Sequence, residues 1–328
     1  MKSIDICGLG ELMVDFTSLP PSPEGKPCYM GNPGGAPPNV LAAAARQGLK
    51  TSFLTRVGAD AFGQFLVKVM QDLNIGTEGI VMDPDHNTTL AFVHNAPDGD
   101  RSFTFYRRSC ADAVIAPADV NEAVIRNSKV LQIGSLVMST PSGKETTFHA
   151  VQVAREAGTL VSFDPNLRPN IWPHPEEMLP FVREMLPLCD ILKLSEEEAE
   201  ALTGSADVAV SSRLLTEEYP NIRLCLVTLG DKGCFWRTAR DTGRTDSVSV
   251  KAVDTTGCGD AFTGGVLTRF LSYGCTLEEL TADQVSHMTA MGCAIGAFVA
   301  TKYGGVMSMP TKQELRDFAK ENCYVIAD

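Results

Sequence analysis

The strongest chemical signal in the 328 residues is the stretch Asp254-Thr255-Thr256-Gly257-Cys258-Gly259-Asp260. It leads into Ala261-Phe262-Thr263-Gly264-Gly265-Val266-Leu267, so a glycine-bounded turn opens an apolar helix expected to run to about Leu271. The first amides of a helix lack intrahelical acceptors, and those of Gly257, Cys258 and Gly259 are expected to offer free donors to an anion. Gly257 and Gly259 also permit positive φ angles and close approach by a ligand. Asp260, in the first helical turn, reads by default as a residue that complements the helix dipole. Beside an anion hole, however, a carboxylate repels a bound phosphate. Accepting the proton of a hydroxyl that attacks phosphorus gives it a reason to be there.

A second stretch, Gly31-Asn32-Pro33-Gly34-Gly35-Ala36-Pro37-Pro38-Asn39-Val40, precedes an alanine-rich helix. Pro38 suits the helix start and Gly48 its stop. Gly34 and Gly35 let a small ligand reach the backbone, and Asn39 is placed to hydrogen-bond its hydroxyls. Two other glycine patterns fail. Gly8-Leu9-Gly10 starts like a dinucleotide fingerprint but has Met13 where the third glycine belongs, and no GxxxxGK[ST] loop occurs.

These residues need a scaffold, and the chain alternates short β-type runs with helical stretches. Ser3–Cys7, Val130–Ile133, Leu160–Phe163, Ile191–Leu194 and Leu224–Val227 read as buried strands, with helices such as Ser142–Ala157 and Pro175–Leu186 between them. Such alternation implies crossover units and a parallel sheet covered on both faces, with ligands beyond the C-terminal strand ends. Asp164–Arg168, Ser195–Glu198 and Thr228–Gly230 each follow a strand directly. Two segments break the rhythm, residues 11–33 and residues 88–108, the latter a hairpin around Asp98-Gly99. They are expected to form a small β-sheet standing off the body as a lid.

Composition excludes several classes. Hydrophobic residues make up 44% and charged residues 21%, ordinary globular values. Twenty-eight Lys+Arg against 40 Asp+Glu leaves a net charge of −12, which argues against nucleic acid or an anionic membrane as partner. No apolar run approaches the roughly 18 residues of a membrane helix, and Asp5 and Gly8 interrupt any signal-peptide core. Ten cysteines without a CxxC pair point to reduced thiols in the cytoplasm.

Together the two glycine-rich stretches resemble the signatures of the ribokinase-like (PfkB) carbohydrate kinase family, in family order, and the similarity covers about residues 4–312. The resemblance implies a single kinase domain over 1–328. Its core would be a three-layer α/β/α unit with a mostly parallel, nine-stranded or similar sheet, carrying a β-sheet lid. It implies ATP as phosphoryl donor, Mg²⁺ assistance, Asp260 as base, and an anion hole from Gly257, Cys258 and Gly259. Cys258 stands where the family commonly has Ala, a change that backbone amides tolerate. Lys193, Ser195, Thr228, Gly230, Gly233 and Cys293 resemble the nucleotide-binding side of the family. Glu198 resembles the Glu of its N-x-x-E motif, which organises hydrated Mg²⁺. Ser195 replaces the usual Asn there, and Ser195–Glu198 reads equally as a capping box. Asp254, Thr256, Gly304 and Ser308 fall in the family's monovalent-cation loop, which implies K⁺.

Within the family, Gly8–Phe16, Gly34-Gly35-Ala36-Pro37, Phe105-Tyr106-Arg107 with Ala111-Asp112, and Phe163–Arg168 resemble fructokinases. That implies sugar contacts from Asp15, Gly34, Gly35, Asn39, Phe105, Arg107, Arg168 and Asp260, with fructose becoming fructose 6-phosphate. The related 2-keto-3-deoxygluconate kinases share the Tyr-Arg and Asn-Leu-Arg features, and arginines suit a carboxylate equally well. A sugar-binding regulator that had lost the chemistry would be expected to lack the base or the glycine turn, and both are present. The expected partners are ATP and a sugar, with a homodimer formed through exposed lid strands.

Overall fold

The computed structural model describes residues 2–95 and 101–326. The described strands, in chain order, are β1 Ile4–Leu9, β2 Met13–Leu19, β3 Cys28–Gly34, β4 Thr51–Gly58, β5 Ile75–Asp83, β6 Leu90–Asn95 and β7 Arg101–Tyr106. They continue with β8 Ser128–Ile133, β9 Leu160–Phe163, β10 Ile191–Ser195, β11 Leu224–Thr228, β12 Cys234–Thr238 and β13 Thr242–Thr245. Nine of them form one sheet in the order β13-β12-β11-β10-β9-β8-β1-β4-β5, parallel except where β12 pairs with β11 and β13.

The five runs read as buried strands in the sequence are β1, β8, β9, β10 and β11, and they are contiguous in the centre of this sheet. A strand covered on both faces must be largely apolar, which is why these were legible. The flanking strands were not. β13 is polar and partly exposed, and β4 carries Arg56, whose guanidinium bonds Asp83 and Asp119. On one face pack the helices Ala36–Arg46, Cys258–Tyr273 and Ala282–Ala300; on the other lie Pro141–Glu156, Pro175–Met185 and Glu196–Thr203. Phe53 and Phe163 are fully buried, each worth about 1.5–3 kcal/mol in removal from water. The Ala36–Arg46 helix begins two residues before the expected Pro38, with Pro37 and Pro38 in its first turn, where their missing N–H costs nothing.

The second sheet has four strands in the order β3-β2-β6-β7, with β2 parallel to β6 and the other pairs antiparallel. It is built from the two segments 11–33 and 88–108. The Asp98-Gly99 turn lies outside the described residues. Alternation along β2 turns Asp15 to one face and Phe16 to the other. Phe16, Phe92, Tyr29 and Tyr106 form a chain of aromatic contacts with centroids 5.0–5.5 Å apart. Among the described residues no helix is long and apolar enough to cross a membrane. Among the described residues, which include all ten cysteines, no disulfide forms.

Candidate active site

Asp260 sits in the first turn of the Cys258–Tyr273 helix, as the glycine-bounded turn implied, and the helix runs two residues past the expected Leu271. Gly257 is the N-cap with φ +77°, a left-handed conformation that glycine adopts without steric cost. Of the three amides expected to be free, that of Cys258 already makes a long bond of 3.3 Å to the Thr255 carbonyl. Asp260 is buried, and its Oδ2 accepts a 2.8 Å hydrogen bond from Asn39 Nδ2. Burial, and next the charge of Asp164, push its pKa up to about 7, against the Asn39 bond and the charges of Lys193 and Arg168. A carboxylate poised near neutrality suits proton abstraction from an alcohol.

Lys193, near the end of β10, points into the same space. A Cβ on Gly259 would lie 3.0 Å from its Nζ, so the ammonium sits against the turn that carries the nest. Its partner is Asp164, with Nζ to Oδ2 at 3.1 Å and both side chains buried. The β9–β10 register, which pairs Phe163 with Leu192, sets these two residues side by side beyond their strands. Burial works against the ammonium, yet the carboxylates of Asp164, Glu198 and Asp260 hold its pKa above the ordinary lysine value. Asp164 was visible in the sequence only as part of a strand-following motif. Its position after β9 was the one signal that could have singled it out.

Glu198 forms the capping box that Ser195 and Glu198 spelled out. Its Oε2 accepts the Ser195 N–H at 2.8 Å, and Ser195 Oγ accepts the Glu198 N–H at 3.2 Å. Oε1 accepts the Leu167 N–H at 2.6 Å, which ties the loop after β9 to this helix. Two lone-pair sites on the carboxylate are left for water. The donor set thus fits Mg²⁺ held through water rather than by direct ligation. Among the described residues no cluster of three or more His, Cys, Asp or Glu could cage a metal alone.

On the far side of the helix N-terminus lies a cleft of about 320 Å³ whose lining includes Thr228, Gly230, Gly233, Cys258, Gly259 and Cys293. Lys193 and Ser195 are not part of that lining. Gly296, Phe262 and Val250 supply an apolar floor suited to a flat heterocycle.

The opposite side gathers the expected sugar residues. Asp15 on β2 faces Asn32 on β3, and a Cβ on Gly34 would lie 2.0 Å from Asp15 Oδ2, so glycine is required for that carboxylate's position. Burial, and then the charge of Asp254, push the Asp15 pKa up to about 7. Ala91 and Phe105 continue the row that starts at Asp15, so Phe105 shares its face. Arg107 is buried. Its Nε donates to Asp112 Oδ2 and its Nη1 to Ser139 Oγ, both at 2.7 Å, while Thr89 also bonds Asp112. Arg107 Nη2 is buried with no partner among the described residues. Arg168 is exposed and donates from Nη1 to the Leu167 carbonyl at 2.9 Å.

Glu11, quoted in the sequence only as part of a motif, proves to anchor this side. It is 2% exposed, and its Oε1 accepts the Ala36 N–H at 2.7 Å, pinning the start of the helix that carries Asn39. Burial raises its pKa to about 7 despite that bond. Asp254, Thr256 and Gly304 also converge. Asp254 Oδ1 accepts the Thr256 N–H at 2.7 Å and Oδ2 the Gly304 N–H at 3.3 Å, and all three line one small cleft with Asp15. Ser308 lies just beyond, its Oγ bonded to the Gly305 carbonyl at 2.8 Å.

The chain matches the description "pfkB family carbohydrate kinase" over residues 3–312. It is 37% identical over 314 residues to Fructokinase-2 of Solanum lycopersicum, covering 94% of each chain. Among solved structures it resembles a fructokinase with bound ATP from Xylella fastidiosa, with TM-score 0.85 and 30% identity over 98% of this chain and 100% of that one. It also resembles a fructokinase double mutant from Vibrio cholerae O395 in fructose-, ADP- and potassium-bound form. There the TM-score is 0.85 and the identity 31%, over 97% of this chain and 99% of that one. Matched along nearly its whole length, with the two glycine-rich stretches meeting at one buried carboxylate, the chain belongs to the pfkB family of carbohydrate kinases.

Proposed function

We propose that the protein is a fructokinase that transfers the γ-phosphoryl group of ATP to the 6-hydroxyl of fructose. The observation that carries this reading is Asp260. It is a buried carboxylate with its pKa near 7, in the first turn of a helix whose opening residues Cys258 and Gly259 line the cleft that also holds Thr228 and Gly230. Relatives and structural neighbours named as fructokinases agree with it. In this reading the cleft containing Thr228, Gly230 and Gly233 takes the nucleotide. Asp15, Gly34, Gly35, Asn39, Phe105 and Arg107 surround the sugar, with Arg168 closing over it.

Asp260 orients the hydroxyl and accepts its proton as the oxygen attacks phosphorus in line. The Gly257–Gly259 amides and the Lys193 ammonium meet the charge on the transferred group. Glu198, beside Asp164, would hold Mg²⁺ through water, and the ion would neutralise phosphate oxygens. The loop of Asp254, Thr256, Gly304 and Ser308 would hold K⁺ by its oxygens. The second sheet would close as a lid and exclude water, over one kinase domain spanning 1–328. Two copies would meet through its aromatic face, where Tyr106 is 62% exposed, and the reduced thiols suit the cytoplasm.

An acid sugar such as 2-keto-3-deoxygluconate is the second reading. Arg107 weighs against it, because its charge is already matched by Asp112 at 2.7 Å, leaving less for a substrate carboxylate. The deciding experiment is a coupled assay with ATP against fructose, ribose, 2-keto-3-deoxygluconate and fructose phosphates. Highest kcat/KM on fructose is expected. Preference for the acid sugar would replace the substrate and keep the kinase, and no turnover on any sugar would make the protein a binding regulator.

A further inference from the structure

A second cleft, of about 270 Å³, lies where the end of the Ala36–Arg46 helix, the C-terminal half of the Cys258–Tyr273 helix and the start of the Lys312–Glu321 helix meet. Arg269, Lys312 and Arg316 line it, and no acidic residue does. On a chain of net charge −12, three cations around one hollow are an exception. Among the described residues none of the three makes an ion pair. The carboxylate of Glu314, on the same helix as Lys312 and Arg316, is taken by Arg46 and Lys302.

Arg269 is the informative member. It is only 8% exposed, and its Nε is buried without a hydrogen-bond partner among the described residues. Its guanidinium lies 6.0 Å from the Tyr273 ring, a contact with the ring face that leaves the edge donors unused. Lys312 Nζ closes the opposite side, near enough to Gly48 that a Cβ there would stand 3.0 Å from it. Cations near helix C-termini complement the dipole, but that accounts for charge alone and leaves a buried donor unsatisfied, which is costly.

We propose that this cleft binds the phosphate group of a phosphate monoester, at a site separate from the active site. Guanidinium donors match phosphate oxygens in a planar, bidentate geometry, and an ammonium adds a point charge. The wall formed by Leu49, Met291 and Leu315 is apolar, so it suits the carbon body of an ester better than a free ion.

The test is calorimetric titration of the full chain with its nucleotide and sugar sites saturated by a non-hydrolysable ATP analogue, Mg²⁺ and fructose. The probes are glucose 6-phosphate and inorganic phosphate, with ionic strength held constant by chloride. Saturable binding of glucose 6-phosphate at one site per chain is expected, with Kd on the order of 1 mM or tighter. The double substitution Lys312→Ala with Arg316→Ala removes two exposed side chains, leaves the fold intact, and is expected to raise Kd at least ~10-fold. Arg269→Gln, which keeps two of the three side-chain methylenes and removes the guanidinium, is expected to do the same. Absence of saturable binding, or an unchanged Kd in the double variant, would overturn the site. Inorganic phosphate binding as tightly as the ester would overturn the ester assignment.

Discussion

Asn39 Nδ2 donates to Asp260 Oδ2 at 2.8 Å, joining two residues 221 positions apart in the chain. Asn39 is held from behind by its own helix, whose start is pinned by Glu11, and its side chain lies against the backbone of Gly257 and Gly305. The bond sets the rotamer of the carboxylate and favours its ionised form.

Asp260→Asn keeps the shape and the helix start but cannot accept a proton. Sugar affinity, measured by calorimetry, should stay near the parent value, while kcat falls at least ~10²-fold. Turnover close to the parent would remove Asp260 from the chemistry.

Asn39→Ala removes a donor that lowers the Asp260 pKa. The base works only when ionised, so activity falls as pH drops through about 7. Without the donor, the acid limb of the kcat profile should move to higher pH by about half a unit to one unit, the worth of one hydrogen bond. An unmoved limb would mean that another group sets it.

Lys193 and Asp164 form a buried ion pair. Lys193→Met strands the Asp164 carboxylate and should cost about 3–5 kcal/mol of stability. Adding Asp164→Asn should restore much of that stability without restoring turnover, because the ammonium beside Gly259 is gone. Recovery of full kcat in the double variant would show that the pair serves only the fold.

The raised carboxyl pKa values also make stability depend on pH. Glu11, Asp15 and Asp260 each titrate near 7 in the folded chain, above their unfolded values, so the folded state holds more protons between the two. Their contribution is complete below the unfolded pKa and is lost as pH rises through about 7. Asp83, lowered to about 2, acts oppositely and only at strongly acid pH. Urea unfolding of the unliganded chain should therefore show stability falling from about pH 4.5 to about pH 7 and levelling off above, with a shallower slope in Asp15→Asn. A rising curve would contradict the raised pKa values that burial gives these acids.

Local chemistry was legible in the residues themselves. A left-handed glycine before a helix and the Ser195–Glu198 box each depend on neighbours a few positions away, and each forms as its spacing dictates, whereas the helix expected to start at Pro38 opens at Ala36. The five central strands were equally plain, because burial on both faces leaves few polar positions to blur them. What the tertiary structure alone decided are the meetings between distant residues. They include Asp164 with Lys193, Arg107 with Asp112 and Ser139, Glu11 with the Ala36 amide, and the basic cleft around Arg269. Such pairs follow from sheet register and helix packing, and the shared burial that shifts their pKa values exists only once the chain has closed around them.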